Sequence, residues 1–178
     1  MSPAKRIATA AITTALLAGT PGLAMAATTP QPTQQTLPTR SWVRLEVLPP
    51  TQPSVVKTME VNSSGTVVMA DREPNNNRQF WSLSGPTGRQ LIENRATGTC
   101  LTAPTSGARS LVTLQTCDRN NVNQQWNVRY WSEGRFTVSL TARPALYLTG
   151  GATIGTEVTI RIYTSTFAQH WAAVPPGR

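Results

Sequence analysis

The stretch Asn123-Gln124-Gln125-Trp126 ends in a triplet, Gln-x-Trp, that the chain contains three times. The other copies are Gln79-Phe80-Trp81 and Gln169-His170-Trp171, so the tryptophans lie 45 residues apart and then 45 again. A short apolar segment precedes each triplet: Val67-Val68-Met69, Val112-Thr113-Leu114 and Val158-Thr159-Ile160. This spacing predicts a tandem repeat, with units at 40–84, 85–129 and 130–174.

The segments between the triplets have the pattern of short β-strands. Val43-Arg44-Leu45-Glu46-Val47 and Val158-Thr159-Ile160-Arg161-Ile162 alternate apolar with polar residues, and clusters such as Asn62-Ser63-Ser64-Gly65 bound such segments. At one strand for every 8–12 residues, each repeat holds about four short strands and the chain about twelve. No segment has a convincing apolar period of 3.6 residues, so the sequence predicts an all-β protein with very little helix.

The triplets have a structural role in this interpretation. Because one tryptophan buries about 150–250 Å², three at equivalent positions can form most of a small shared core. The preceding Gln can bond backbone groups that loops leave unpaired. One repeat alone cannot bury its apolar face, whereas three that close on each other can. The predicted structural core is therefore Gln79, Trp81, Gln124, Trp126, Gln169 and Trp171.

The supply of ionisable residues argues against an enzyme. Of 178 residues only 13% are charged, and His170 is the single histidine. A Ser-His-Asp triad would have to use that histidine, and a Cys/His zinc cluster has too few ligands. We therefore predict a non-catalytic protein with no cofactor and no metal site. The net charge is +8, but the basic residues are scattered singly, so nucleic-acid binding is not expected.

The N-terminus is typical of an exported protein. Residues 1–26 combine Lys5 and Arg6 with an apolar run that ends in Ala24-Met25-Ala26, which predicts a cleaved signal peptide. The alternative is an uncleaved membrane anchor, for which the run is short. Residues 27–39, rich in Thr, Pro and Gln, are expected to form an extended linker. In an oxidising compartment Cys100 and Cys117 are expected to form a disulfide, with two free thiols as the alternative.

The repeated triplet resembles the ricin B-chain-type lectin family. The closest match is the second repeat, from Gly98-Thr99-Cys100-Leu101 through Gln115-Thr116-Cys117 to the triplet at Trp126. The resemblance implies that residues 40–178 form a ricin B-type β-trefoil domain, with a disulfide inside the second repeat. In the third repeat Tyr147 and Tyr163 stand at the cysteine positions, so aromatic packing is expected there.

The resemblance also implies up to three shallow sugar pockets, but each has lost family residues. Where the family has an aspartate after a Cys-Leu-type pair, this chain has Thr102 and Thr149. The stacking aromatic is replaced by Gln115, with Ala70 and Arg161 at the related places. The amide beside the triplet survives only as Asn123, since Arg78 and Ala168 replace it elsewhere.

The second repeat is the best candidate site on these grounds. Its predicted carbohydrate-binding residues are Asn123, Gln124, Gln115, Asp118 and Thr102. The equivalent polar loop of the first repeat contains Asp71, Glu73 and residues 75–77, and both loops could instead serve only as turns. Trp131, Tyr130 and Trp42 lie outside the triplets and could offer an exposed ring, or pack in the core.

Two functions follow from this pattern. The first is a secreted, non-catalytic carbohydrate-binding module, lectin-like and with degenerate pockets, whose partner is a glycan or a glycosylated or cell-surface molecule. The second is a β-trefoil that has lost sugar binding and acts as a protein-interaction subunit, such as a toxin accessory subunit or an inhibitor with an exported protein partner. Neither function involves nucleic acid or a membrane span after signal cleavage.

Overall fold

Short antiparallel strands make up most of the described chain. A computed structural model describes residues 41–49, 56–131 and 134–177; the predicted signal peptide 1–26 and linker 27–39 lie outside the described residues. Within the described ranges there are 13 strands, in agreement with the predicted all-β fold of about twelve. They are β1 Trp42–Val47, β2 Lys57–Val61, β3 Val67–Ala70, β4 Phe80–Ser84, β5 Leu91–Asn94, β6 Cys100–Thr102, β7 Ser110–Leu111, β8 Thr113–Gln115, β9 Trp126–Tyr130, β10 Arg135–Leu140, β11 Arg143–Thr149, β12 Thr159–Ile162 and β13 Trp171–Val174.

The first and last strands of the three repeats close into a barrel. Strand β1 pairs with β4 and β13, β10 pairs with β9 and β13, and β4 pairs with β5. A bridge between Gln90 and Trp126 completes the ring between β5 and β9. Because every barrel strand has two neighbours, no edge is left open around the ring. Three repeats closing on each other form the predicted β-trefoil.

The remaining strands form one hairpin per repeat beside the barrel. These hairpins are β2–β3, β6–β8 and β11–β12. They meet through the backbones of three equivalent valines, since Val158 N donates to Val67 O (2.9 Å) and Val112 N donates to Val158 O (3.1 Å). All three valines are buried. The apolar segments that mark the repeat in the sequence are therefore the places where the repeats join.

The three triplet tryptophans are fully buried in a single hydrophobic core. Each indole Nε1 donates to a carbonyl of its own repeat's hairpin: Trp81 to Met59 (2.8 Å), Trp126 to Leu101 (3.0 Å) and Trp171 to Leu148 (3.1 Å). These bonds tie the last barrel strand of each repeat to its hairpin. The Trp side chains thus contribute both apolar burial and a satisfied polar contact, as buried indoles require.

The second and third repeats fasten their hairpins differently. A disulfide joins Cys100 on β6 to Cys117 in the loop after β8. In the third repeat the rings of Tyr147 and Tyr163 pack with centroids 4.7 Å apart. Aromatic packing therefore stands where the second repeat has its covalent bond, as the resemblance implied.

Candidate functional site

The triplet glutamine organises the same hydrogen-bond network in every repeat. A short 3₁₀ turn ends in each Gln, at Asn77–Gln79, Val122–Gln124 and Phe167–Gln169, and all three Gln are buried. The amide oxygen accepts a loop N–H, and the amide nitrogen donates to a loop carbonyl and to a hairpin side chain. The N–H groups belong to Glu73, Asp118 and Thr164, the carbonyls to Asp71, Thr116 and Ile162, and the side chains to Glu60, Thr102 and Thr149.

This network defines one pocket position per repeat: Glu60, Thr102 and Thr149. Each directly follows the residue whose carbonyl accepts the indole bond, which establishes that the three positions are equivalent. The register agrees, because Thr58 faces Ala70, Cys100 faces Gln115 and Tyr147 faces Arg161. The pocket position is where the resemblance places a sugar-binding aspartate.

In the second repeat, two of the predicted site residues bond to each other in the interior. Thr102 is 3% exposed and Gln124 is 0% exposed. The Thr102 hydroxyl accepts from Gln124 Nε2 (3.0 Å) and donates to the carbonyl of Cys100 (3.1 Å). Their polar atoms therefore serve the fold.

Asn123 lies beside Gln124 and is partly exposed, but its side chain is engaged by an arginine from the next repeat. Nη2 of Arg143, the first residue of β11, lies 3.3 Å from Asn123 Oδ1. The same guanidinium donates to the carbonyls of Pro104, Thr105 and Ser106. Arg143 thus occupies the polar surface that the second pocket would present.

The other two predicted residues of this site are exposed. Gln115 ends β8 opposite Cys100 on β6, and Asp118 lies in the loop that follows. A carboxylate oxygen of Asp118 accepts the N–H of Asn120 (2.8 Å), which is a turn contact. The structure therefore brings Thr102, Gln124 and Asn123 together and leaves Gln115 and Asp118 at the rim.

The third pocket has no carboxylate at its pocket position. Thr149 is buried, accepts from Gln169 Nε2 (3.2 Å) and donates to the carbonyl of Tyr147 (3.0 Å). Arg161 stands at the position of the stacking ring, and its Nε donates to Thr159 Oγ1 (3.1 Å). This pocket offers positive charge where a neutral sugar needs a hydrogen-bond acceptor.

The first pocket alone has a carboxylate at the pocket position. Oε2 of Glu60 accepts from Gln79 Nε2 (2.7 Å) and from Asn76 Nδ2 (3.3 Å). Asn76 also donates to Glu73 Oε2 (3.1 Å). Glu60 is partly exposed, and within the described ranges no residue donates a hydrogen bond to its Oε1. The result is a fixed carboxylate with one oxygen unclaimed, flanked by an amide.

Sequence reasoning missed Glu60 because the first repeat has no Cys-Leu pair to mark its pocket position. Thr58-Met59-Glu60 stands where the second repeat has Cys100-Leu101-Thr102. The available signal was the apolar Val67-Val68-Met69 segment, since the strand paired with it holds the pocket residue. The loop residues Asp71 and Glu73, named in advance, do lie here: Asp71 pairs with Lys57 (2.6 Å), and Glu73 reaches Asn76.

Neither a metal centre nor a membrane span is found in the described part of the chain. Over these residues, no three His, Cys, Asp or Glu side chains are grouped so as to hold a metal ion. No helix within them has the length and apolar character to cross a membrane.

Comparison with known families gives one match. The family described as ricin-type beta-trefoil lectin domain matches residues 51–171, which is more than half of the chain. A search of curated protein sequences finds no matching relative.

Solved structures share the fold at low sequence identity. A designed three-fold symmetric protein, ThreeFoil, has a TM-score of 0.64 at 17% identity, covering 75% of this chain and 97% of that one. The Macrolepiota procera ricin B-like lectin, solved in complex with lactose, has a TM-score of 0.66 at 11% identity and covers 79% and 99%. The Haemophilus ducreyi cytolethal distending toxin has a TM-score of 0.59 at 15% identity and covers 82% and 90%. These likenesses show the β-trefoil fold.

Proposed function

Because the chain belongs to the ricin-type β-trefoil lectin family, we propose that it is a secreted, non-catalytic carbohydrate-binding module whose working pocket is that of the first repeat. The observation that carries this proposal is the Glu60 carboxylate, held by Gln79 and Asn76 with Oε1 open. An ionised carboxylate accepts hydrogen bonds from neighbouring sugar hydroxyls, and such charge-assisted bonds are the strong ones.

The structural duty of the pocket position does not call for this carboxylate. In the second and third repeats a threonine hydroxyl accepts the same glutamine N–H, at 3.0 and 3.2 Å. Glu60 therefore supplies a charge and a second oxygen that the Gln79 hydrogen-bond network does not use. That surplus supports a ligand role in the first repeat and a structural role in the other two.

The pocket also differs from the family pattern in two respects. Ala70 stands at the position of the stacking ring and Arg78 at that of the amide. The Arg78 guanidinium donates to the carbonyl of Asn62 (2.7 Å), which fastens the turn after β2. Asn76 supplies an amide from the other side. A pocket with a carboxylate and an amide but no stacking ring favours weak binding of a single sugar unit.

The experiment compares Glu60→Thr with Glu93→Thr. Thr is the natural residue at Thr102 and Thr149, so Glu60→Thr should keep its bond to Gln79 and remain folded. Glu93→Thr removes the same charge from β5 in the second repeat. Galactose, N-acetylgalactosamine and lactose would be titrated calorimetrically, followed by a glycan array.

We expect Glu60→Thr to weaken sugar binding at least tenfold, since charge-assisted bonds contribute about 1.5–3 kcal/mol. Glu93→Thr should bind like the parent. Equal sugar affinity for the parent and Glu60→Thr would show that the first pocket is not the site. A folded parent that binds no glycan on the array would remove the lectin function altogether.

The second candidate function is that of a protein-interaction subunit on the same scaffold. It is favoured by the state of the other two pockets: Arg143 fills one, and Thr149 is committed to Gln169 in the other. A toxin is among the structures with this fold. Co-purification of an exported protein at fixed stoichiometry, together with no glycan binding, is the result that would select this function.

A further inference from the structure

A row of aromatic side chains crosses the surface of the third repeat beside the third pocket, which it meets at Arg161. The row consists of Tyr147, Tyr163, His170 and Trp131. The Tyr163 and His170 rings meet nearly edge to face with centroids 6.2 Å apart, and the His170 and Trp131 rings do the same at 6.2 Å. Together with the Tyr147–Tyr163 contact at 4.7 Å, these contacts make the row continuous.

The row is a surface feature and not part of the core. None of its four members belongs to the hydrophobic core cluster, which includes the triplet tryptophans. Trp131 is 42% exposed, whereas Trp81, Trp126 and Trp171 are fully buried. Trp131 therefore contributes less to core packing than the triplet tryptophans do.

Hydrogen bonds hold the rings in place. Trp131 Nε1 donates to Thr137 Oγ1 (3.2 Å), which fixes the indole on β10. His170 Nδ1 lies 2.9 Å from the carbonyl of Thr166, so it carries the proton and Nε2 faces the Tyr163 hydroxyl at 3.5 Å. A row fixed in this way loses little conformational entropy when a ligand binds.

An arginine stands at each end of the row. The Arg129 guanidinium lies over the Trp131 ring, 4.7 Å from its centroid, and Arg161 is the cross-strand neighbour of Tyr147. Both side chains are exposed, and neither forms an ion pair with an acidic residue of the described ranges. In the third repeat, 130–174, the sequence has two acidic residues, Glu133 and Glu157. The positive charge at the two ends of the row comes from the guanidinium groups of Arg129 and Arg161.

We propose that this aromatic row binds a segment of acidic polysaccharide, in which sugar rings lie on the aromatic side chains and the carboxylates pair with Arg129 and Arg161. A pyranose ring presents C–H groups that pack on aromatic surface and hydroxyls that suit the Tyr163 and His170 polar atoms. Guanidinium groups bind carboxylates through paired, planar hydrogen bonds. The row contains both the aromatic rings and the guanidinium groups that this binding requires.

Single-stranded nucleic acid fits the row less well. Its bases stack on a succession of open ring faces. Here the Tyr147 and Tyr163 rings are tilted by 41° against each other, His170 meets its neighbours nearly edge to face, and Arg129 lies over one face of Trp131. The row alternates ring surface with polar groups, which matches a sugar better than a base.

The test uses the full chain and three probes: an oligogalacturonate, its fully methyl-esterified form of equal length, and single-stranded DNA. The methyl ester keeps the sugar rings and removes the charge. The variants are Trp131→Ala, Arg129→Gln and Arg161→Gln, with Arg119→Gln as the matched control. Arg119 is an exposed arginine in the loop before the second 3₁₀ turn. Melting curves and near-ultraviolet circular dichroism check the fold of each variant.

We expect the oligogalacturonate to bind at least tenfold more tightly than its methyl ester, with affinity falling as salt is added. Each of Arg129→Gln, Arg161→Gln and Trp131→Ala should weaken binding by about threefold to tenfold, and Arg119→Gln should not. If Trp131→Ala melts early, the two arginine variants decide the question alone.

Three results would overturn the proposal. They are equal binding of the charged and esterified probes, equal loss of affinity in Arg119→Gln and the row variants, and tighter binding of the DNA than of the oligogalacturonate. Glu60→Thr separates this site from the first pocket, because it should leave oligogalacturonate binding unchanged. A loss in Glu60→Thr would mean that both ligands share the first pocket and that the row is not a separate site.

Discussion

Replacing Gln124 with alanine should destabilise the domain strongly, although this residue was also predicted from the sequence to contact sugar. Its Oε1 accepts the N–H of Asp118 (2.8 Å), and its Nε2 donates to Thr116 O (3.0 Å) and Thr102 Oγ1 (3.0 Å). At about 1 kcal/mol for each bond, the loss is about 3 kcal/mol. The buried Thr102 hydroxyl would also lose one hydrogen-bond partner, which increases the expected loss in the free energy of unfolding.

The neighbouring Gln125 provides a matched control. It is partly exposed, and its Nε2 makes one bond, to the carbonyl of Arg119 (2.8 Å), which water can replace. Gln125→Ala should therefore cost less than about 1 kcal/mol. Chemical denaturation of both variants would measure the difference. For a domain of this size about 3 kcal/mol corresponds to a fall in Tm of about 10 °C.

The structural account of the triplet would be refuted if Gln124→Ala and Gln125→Ala melted at the same temperature. In that event the network seen in all three repeats would contribute nothing measurable to stability, and the glutamine would need a different explanation. If Gln124→Ala lost stability and Gln125→Ala did not, weaker sugar binding by Gln124→Ala would follow from the damaged fold. It would then not be evidence that Gln124 contacts sugar.

Two further predictions concern the disulfide and one tyrosine. Changing Cys100 and Cys117 together to serine should lower the free energy of unfolding by about 3 kcal/mol in the chain-entropy model, measured by urea denaturation; a change below about 1 kcal/mol would contradict it. Burial raises the pKa of the Tyr130 hydroxyl above its ordinary value of 10.0. The unfolded chain therefore loses this proton at lower pH than the folded chain, so stability falls as the pH rises above about 10. Tyr130→Phe should reduce that alkaline loss of stability, and an unchanged pH profile of the Tm would count against the assignment.

The sequence predicted the fold because the fold depends on spacing and burial, which the sequence shows directly. The three triplets, at Trp81, Trp126 and Trp171, report a core that must close on itself. The strand pattern reports short extended segments, although the polar members of β1, Arg44 and Glu46, are buried along with the apolar ones. Both signals are local in the chain, and the structure confirms the all-β trefoil that they predict.

The candidate site was harder to predict from the sequence, because it depends on contacts between repeats. The pocket position of the first repeat also has no Cys-Leu pair to identify it. Nothing in the sequence around Asn123 shows that Arg143, 20 residues later, engages its side chain. Glu60 could be identified as the pocket residue only by pairing β2 with β3, Val67–Ala70. An acidic residue in a half-buried strand does not by itself indicate a site. The continuity of Tyr163, His170 and Trp131 likewise arises from folding.

The pocket position explains how a three-fold fold can lose sugar sites without losing stability. The triplet glutamine needs only an acceptor there, and a threonine hydroxyl or a carboxylate oxygen serves equally in the structure. A change from acid to threonine therefore costs the fold little, while it removes the charge and second oxygen that a sugar would use. The core has no such freedom, because all three tryptophans share one interior. It follows that the converse change, Thr102→Glu, would not be enough to create a second site, because Arg143 would still contact the Asn123 side chain. The double variant of Thr102→Glu and Arg143→Ala is the smallest change that would give the second pocket both a carboxylate and an available amide.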